Sequence, residues 1–110
     1  MRTKTSLTTW GVAIAVAGWL ITAPGCQDDI RRGRDELQAG RWDAAAAIFA
    51  GYTESADPTR AEAVLVGLMR ARLGQHRLDA VKALVDRYAA RFPEGARRDE
   101  VARVRAAAGL

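Results

Sequence analysis

This sequence is poor in the residues on which disulfides, metal sites and catalysis depend. Its 110 residues include one cysteine, Cys26, and one histidine, His76. Cys26 has no partner for an intramolecular disulfide. A metal site needs several convergent ligands and a catalytic histidine needs a nucleophile or an acid beside it, and the sequence around His76 supplies neither. We therefore expect no catalytic residues, no metal site and no cofactor.

Strand-forming residues are also scarce, which argues against a sheet and against phosphate loops that follow a strand. The chain is instead rich in Ala, Leu, Val and Arg, with Gly and Pro between its periodic segments. Apolar residues at spacings of three and four predict an all-α fold of antiparallel helical hairpins. The five predicted helices span about 28–39, 41–53, 59–74, 78–91 and 96–108.

Each predicted helix has an apolar stripe that we expect to form the core. Gly40 and Gly74 are predicted to end the first and third helices, and Thr59 with Glu62 could form a capping box beside Pro58. The stripes consist of Ile30, Gly33 and Leu37; Trp42, Ala45, Ala46, Phe49 and Tyr52; Ala61, Val64, Leu65, Leu68 and Met69; Leu78, Val81, Leu84, Val85 and Tyr88; and Val101, Val104 and Ala108.

The N-terminal region lacks charge over a long stretch. After Arg2 and Lys4, no charged residue occurs from Thr5 to Gln27, and the apolar centre at 10–23 is 14 residues long. That length is typical of an export signal and is short for a bilayer span, which needs roughly 20 residues. We therefore predict an export signal over residues 1–25.

Small residues flank the cysteine at the end of this signal, in Ala23-Pro24-Gly25-Cys26. This junction resembles the lipobox of bacterial lipoproteins, in which the chain is cut before a cysteine that carries acyl chains such as palmitate. The resemblance implies cleavage between Gly25 and Cys26, a lipidated anchor at 26–27 and a folded domain at 28–110. Two alternatives remain: secretion after an ordinary cleavage following Gly25, and an uncleaved single-span anchor.

Charges of one sign are not clustered in residues 26–110, the 85 residues that follow the predicted signal. They carry 15 basic and 13 acidic residues, interspersed along the predicted helices, and their net charge is +2. This distribution does not favour nucleic-acid binding.

An internal repeat relates the two central hairpins. Ala45 and Ala80, Phe49 and Leu84, and Pro58 and Pro93 are each 35 residues apart, so the segment 27–93 resembles tetratricopeptide (TPR) repeats. The resemblance implies a TPR-like two-repeat array with the fifth helix as a C-terminal cap. A generic helical bundle with an accidental period is the alternative.

The TPR resemblance also implies a concave protein-binding face formed by the first helix of each hairpin. It points to Arg34, Leu37, Gln38 and Arg72 as candidate partner-binding residues, although a solvated Arg-rich surface would look the same. We expect a non-catalytic lipoprotein of the cell envelope that faces the periplasm and binds a protein or peptide as an accessory or assembly subunit. The alternative is a structural protein that self-associates. Gln27, rather than Asp, follows Cys26, which slightly favours the outer over the inner membrane.

The first prediction concerns the anchor. Mass spectrometry of the protein extracted from membranes should identify Cys26 as an acylated N-terminal residue, because several acyl chains give the stable anchoring that one chain does not. An unmodified Cys26 would contradict this assignment.

Overall fold

The structure is a computed structural model that describes residues 25–110, with side chains from Asp28 onward. This range is all-α, as predicted, and contains no strand. Its helices are α1 (Gly25–Gln38), α2 (Trp42–Ala50), α3 (Pro58–Gly74), α4 (Leu78–Arg91) and α5 (Arg98–Ala107). Gly25 and Cys26 begin α1, whereas most of the predicted signal and the side chain of Cys26 lie outside the described residues. None of these five helices has the length and apolar character to cross a membrane.

Left-handed residues end α1 and α3 in the same way. Gly40 has a φ of 75°, and the next amide, of Arg41, donates to the carbonyl of Glu36 at 2.9 Å. At the end of α3 this place is taken by His76, with a φ of 59°, and the amide of Arg77 donates to Arg72 at 2.9 Å. Gly74 is the last residue of α3, as predicted, but the left-handed residue of the turn is His76.

The start of α3 also differs from the predicted capping box. Asp57 is the N-cap, and its carboxylate accepts from the amide of Thr59 at 3.1 Å, while Pro58 takes the first helical position. Glu62 turns away from the helix end and bonds to Tyr88 on α4. The aspartate before the proline therefore replaces the threonine after it as the cap.

The two helices of each hairpin run antiparallel, as a contact across the open end of each hairpin demonstrates. In the first hairpin, the hydroxyl of Tyr52, after α2, donates to Asp29 near the start of α1 at 2.5 Å. In the second, the hydroxyl of Tyr88 near the end of α4 donates to Glu62 near the start of α3 at 2.5 Å. Each hairpin is thus closed at its open end by a tyrosine and a carboxylate.

The ring of Phe49 packs between two glycines on the neighbouring helices. A Cβ atom at Gly33 of α1 would lie 2.7 Å from its Cζ atom, and one at Gly67 of α3 would lie 2.7 Å from its Cε2 atom. Both distances are too short for a contact between two non-bonded carbon atoms. The absence of side chains at Gly33 and Gly67 therefore lets α1, α2 and α3 approach one another around a single aromatic ring.

The central helix α3 contributes to two hydrophobic clusters, one on each side. Most predicted stripe residues are buried in these clusters, and α3 is apolar on both sides because it faces a hairpin on one and α4 with α5 on the other. The first cluster contains Ile30, Leu37, Ala45, Ala46, Phe49, Val64, Leu68 and Ala71. The second contains Val66, Met69, Val81, Val85, Tyr88, Val101, Val104 and Ala108.

Two predicted core residues are exposed instead. Leu78 is 43% exposed at the start of α4, and Trp42 is 37% exposed at the start of α2. The Trp42 ring lies against Gly74, where a Cβ atom would overlap it. Trp42 therefore covers the end of α3 from outside and does not belong to the buried core.

The second prediction concerns the glycine contacts of Phe49. Gly67→Ala should lower the free energy of unfolding by about 1–3 kcal/mol, because the new methyl group would overlap the ring. Urea denaturation of the full chain in mild detergent would measure this loss.

Gly51→Ala provides the matched control. Its Cβ atom would be 3.6 Å from the carbonyl oxygen of Ile48, an ordinary contact, and Gly51 has a φ of −74°. Stability should stay constant or rise by up to about 1 kcal/mol. Equal losses for Gly67→Ala and Gly51→Ala would contradict the packing of Phe49.

Candidate partner-binding face

Three arginines from two helices line a cleft between α1 and α3. Arg31 and Arg34 lie on α1, and Arg60 lies in the first turn of α3. The cleft has a volume of about 300 Å³. Its remaining lining residues are Ile30, Asp57, Thr59, Ala63 and Arg97. We call this site the arginine cleft.

Three of the four arginines of the cleft, Arg31, Arg34 and Arg60, have no ion-pair partner within residues 28–110, whereas Arg97 pairs with Glu100 at 3.4 Å. Asp57, the carboxylate of the cleft, is engaged in capping α3. Arg41 provides a contrast, because it donates to Glu36 at 2.7 Å and its hydrogen bonds lower the pKa of that carboxyl. Unlike Arg41 and Arg97, these three arginines are available to the carboxylates or phosphates of a ligand.

A second cavity lies further along the same side of α3. It has a volume of about 600 Å³ and is bounded by the end of α3, by α5 and by the Trp42 ring. Ala63 in the cleft and Arg70 in this cavity are seven residues apart, which places them on one helix face about 10 Å from each other. Its lining residues are Trp42, Arg70, Leu73, Gly74, Glu100, Arg103, Val104 and Ala107. We call it the Trp42 groove.

Positive charge predominates along both cavities. Within the groove, Arg70 pairs with Glu100 at 3.6 Å, whereas Arg103 has no ion pair in the described part of the chain. Six arginines line the two cavities together, against the carboxylates Asp57 and Glu100. The face formed by α1, α3 and α5 is therefore suited to an anionic ligand.

The clasp between Tyr88 and Glu62 positions the start of α5 beside the cleft. The backbone amide of Arg97 donates to Glu62 at 3.0 Å and to the Tyr88 hydroxyl at 3.2 Å. Gly95 lies directly against this clasp, because a Cβ atom there would overlap both side chains and displace them. Burial, together with the hydrogen bond and negative charge of Glu62, raises the pKa of Tyr88 to about 12.

The structure distributes the predicted partner-binding residues over different environments. Arg34 lines the arginine cleft. Leu37 is only 6% exposed and packs in the first cluster, so its side chain is not available to a partner. Gln38 is exposed at the end of α1, outside both cavities.

Arg72 lies on another side of α3 and supports a link to α2. Its guanidinium donates to the side chain of Gln75 at 2.9 Å, and Gln75 donates to Asp43 on α2 at 2.5 Å. Arg72 is half-buried and lines neither cavity. The structure therefore does not bring Arg72 together with Arg34.

Sequence reasoning missed Arg31, Arg60 and Arg103 as candidate binding residues. Arg31 and Arg34 are three residues apart, a spacing that would have indicated a shared face of α1. The contribution of Arg60 depends on how α3 packs against α1, which sequence spacing alone does not give.

The described residues contain no cluster of three His, Cys, Asp or Glu side chains that could hold a metal ion. His76 is exposed in the turn between α3 and α4, away from both cavities.

The third prediction uses the titration of Tyr88. Its pKa is raised from 10.0 to about 12, so the protonated hydroxyl contributes stability in full below pH 10 that is lost as the pH rises towards 12. Tyr88→Phe should remove this part of the pH dependence and lower stability at neutral pH. Urea denaturation, monitored by circular dichroism at a series of pH values from 7 towards 12, would measure both effects. If the free energy of unfolding fell equally with rising alkaline pH in the unsubstituted protein and in Tyr88→Phe, the assignment of this pH dependence to Tyr88 would be contradicted.

In comparisons with known proteins, no protein family, curated protein or solved structure matches the chain.

Proposed function

We propose that this protein is a non-catalytic lipoprotein of the cell envelope that binds an acidic segment of a partner protein through the face formed by α1, α3 and α5. The observation that carries the proposal is the convergence of Arg31, Arg34 and Arg60 in one cleft without ion-pair partners among the described residues. Six other arginines of the described residues do form ion pairs, as Arg32 does with Asp29 at 3.2 Å.

A TPR-like organisation supports the protein-binding role. Gly33 and Gly67, which are 34 residues apart, contact the same Phe49 ring from the first helices of successive hairpins. The tyrosine–carboxylate clasp also occurs once in each hairpin, as Tyr52 with Asp29 and Tyr88 with Glu62. In such arrays the first helices of the hairpins line the surface on which peptides bind, and the arginine cleft lies between α1 and α3.

The N-terminal sequence supports the anchor. The proposed cleavage between Gly25 and Cys26 falls at the first residues of α1, so processing would leave the described helical domain intact. Acylated Cys26 would hold this domain at the periplasmic side of a membrane, with the outer membrane slightly favoured. Confinement to a surface raises the chance of meeting an envelope partner, which suits a domain with a modest binding face.

The fourth prediction tests the arginine cleft. The full chain, reconstituted in neutral phosphatidylcholine nanodiscs, should bind a fluorescein-labelled glutamate-rich peptide more tightly than a lysine-rich one, with affinity falling as salt is added. Arg34→Ala and Arg60→Ala should each weaken binding of the glutamate-rich peptide by about two- to tenfold, up to about 1.4 kcal/mol, in fluorescence anisotropy titrations.

Arg77→Ala is the matched control, because Arg77 is exposed outside both cavities and has no ion pair in the described part of the chain. If Arg77→Ala and Arg34→Ala weakened peptide binding equally, the loss of affinity would reflect net charge alone. This result would contradict the assignment of the binding site to the arginine cleft. Binding of phosphatidylglycerol vesicles without binding of the peptide would instead assign the cleft to lipid headgroups and contradict a protein partner.

A second candidate function is self-association, which one further surface favours. An apolar groove of about 480 Å³ lies between α4 and α5, and its lining includes Phe92, Val101 and Leu110, the last 44% exposed. A second copy of the chain could cover it. Sedimentation velocity in detergent separates the functions: a concentration-dependent dimer favours self-association, and a monomer at all concentrations disfavours it.

A further inference from the structure

We infer that the Trp42 groove receives an apolar side chain of the same acidic partner segment whose carboxylates occupy the arginine cleft. This inference rests on the proposed function and specifies the partner further. It defines a ligand with two features, a cluster of carboxylates and one large apolar residue, and it fixes their approximate separation.

The indole of Trp42 is both exposed and held in place. It is 37% exposed, and its ring lies on Gly74, where a Cβ atom would overlap it. The groove is also lined by Val104, which is 6% exposed, and by the half-buried Leu73. A fixed aromatic side chain next to an apolar wall loses little conformational entropy on binding, which is why tryptophan is enriched at the centres of interfaces.

The charges around the groove select an acidic occupant. Arg103 lines it without an ion pair in the described part of the chain. Arg70 is paired with partly exposed Glu100 at 3.6 Å, a long contact with which a carboxylate of the ligand can compete. An apolar residue flanked by acidic residues can pack on the indole while its neighbours pair with both guanidinium groups. An apolar residue flanked by lysines would instead bring positive charges next to the two arginines.

The spacing of the two cavities sets the spacing of the ligand. Ala63 and Arg70 mark them on α3, about 10 Å apart, which corresponds to about three residues of an extended peptide or two turns of a helix. The partner segment therefore places its apolar residue three positions from its carboxylate cluster if extended, and seven positions if helical.

The position of the groove favours a protein over a lipid surface. Trp42 begins α2, beyond the far end of α1, and the 14 residues of α1 place it about 20 Å from Cys26. A membrane that held the acyl chains of Cys26 would lie at the opposite end of α1. The arginine cleft alone could face lipid headgroups, but a segment that also reaches Trp42 must extend away from the anchor.

The test uses the emission of Trp42 in the full chain. Trp10→Phe and Trp19→Phe leave Trp42 as the single tryptophan whether or not the chain has been cut before Cys26. This protein in phosphatidylcholine nanodiscs is titrated with a synthetic peptide of four glutamates and one leucine three positions away. A second peptide carries alanine in place of leucine. We expect the leucine peptide to shift the Trp42 emission to the blue and to bind about three- to tenfold more tightly than the alanine peptide.

Two independent substitutions test whether the groove is the source of the preference for leucine. In the native-tryptophan background, Trp42→Ala should abolish the difference between the leucine and alanine peptides in anisotropy titrations. Ala107→Gln should do the same by filling the groove from an exposed position on α5, without touching the core. Leu78→Ala, at a residue that is 43% exposed outside both cavities, should preserve the difference.

The outcomes distinguish this inference from the proposed function. If both peptides bind equally and Trp42 emission stays constant, the groove is not a subsite and the inference is overturned, whereas the arginine cleft stands. If neither peptide binds, the proposed function fails and the inference fails with it. A preference for leucine that persists in both Trp42→Ala and Ala107→Gln would place the apolar subsite elsewhere and also overturn the inference.

Discussion

The close packing of three helices around Phe49 is the constraint on which the rest of the structure depends. The ring occupies the space that side chains at Gly33 and Gly67 would fill, so α1 and α3 both lie against α2. This arrangement brings Arg31 and Arg34 of α1 opposite Arg60 of α3. A larger residue at either glycine would separate the helices, and the arginine cleft exists only at their present distance.

The sequence was most informative where one periodic pattern decided the structure. The stripe of Ile30, Gly33 and Leu37 predicted the buried face of α1, and the same logic predicted every other helix to within a few residues. Prediction failed where two signals competed. Asp57 and Thr59 both suit a helix N-cap, and the position before Pro58 prevailed. Gly74 does end α3, as predicted, but its small size serves the contact with Trp42, and His76 adopts the left-handed conformation of the turn.

The candidate site was less predictable than the fold because it depends on which charges find partners. Arg32 and Arg34 look equivalent in the sequence, but Arg32 pairs with Asp29 while Arg34 faces the cleft. Arg72, a predicted partner-binding residue, donates to Gln75, which donates in turn to Asp43. Leu37 belonged to both the core stripe and the candidate site, and burial placed it in the core. Side-chain pairing across helices decides such cases.

Two aromatic residues on α2, Trp42 and Phe49, are seven residues apart, and each lies on a glycine of α3, Gly74 and Gly67, which are also seven apart. Two matched contacts, two helical turns from each other, fix both the axial position and the rotation of α2 against α3. A shift of one residue would place both rings against side chains. Trp42 therefore has two roles that cannot vary independently: the indole that borders the groove also sets the alignment of the helices that form it.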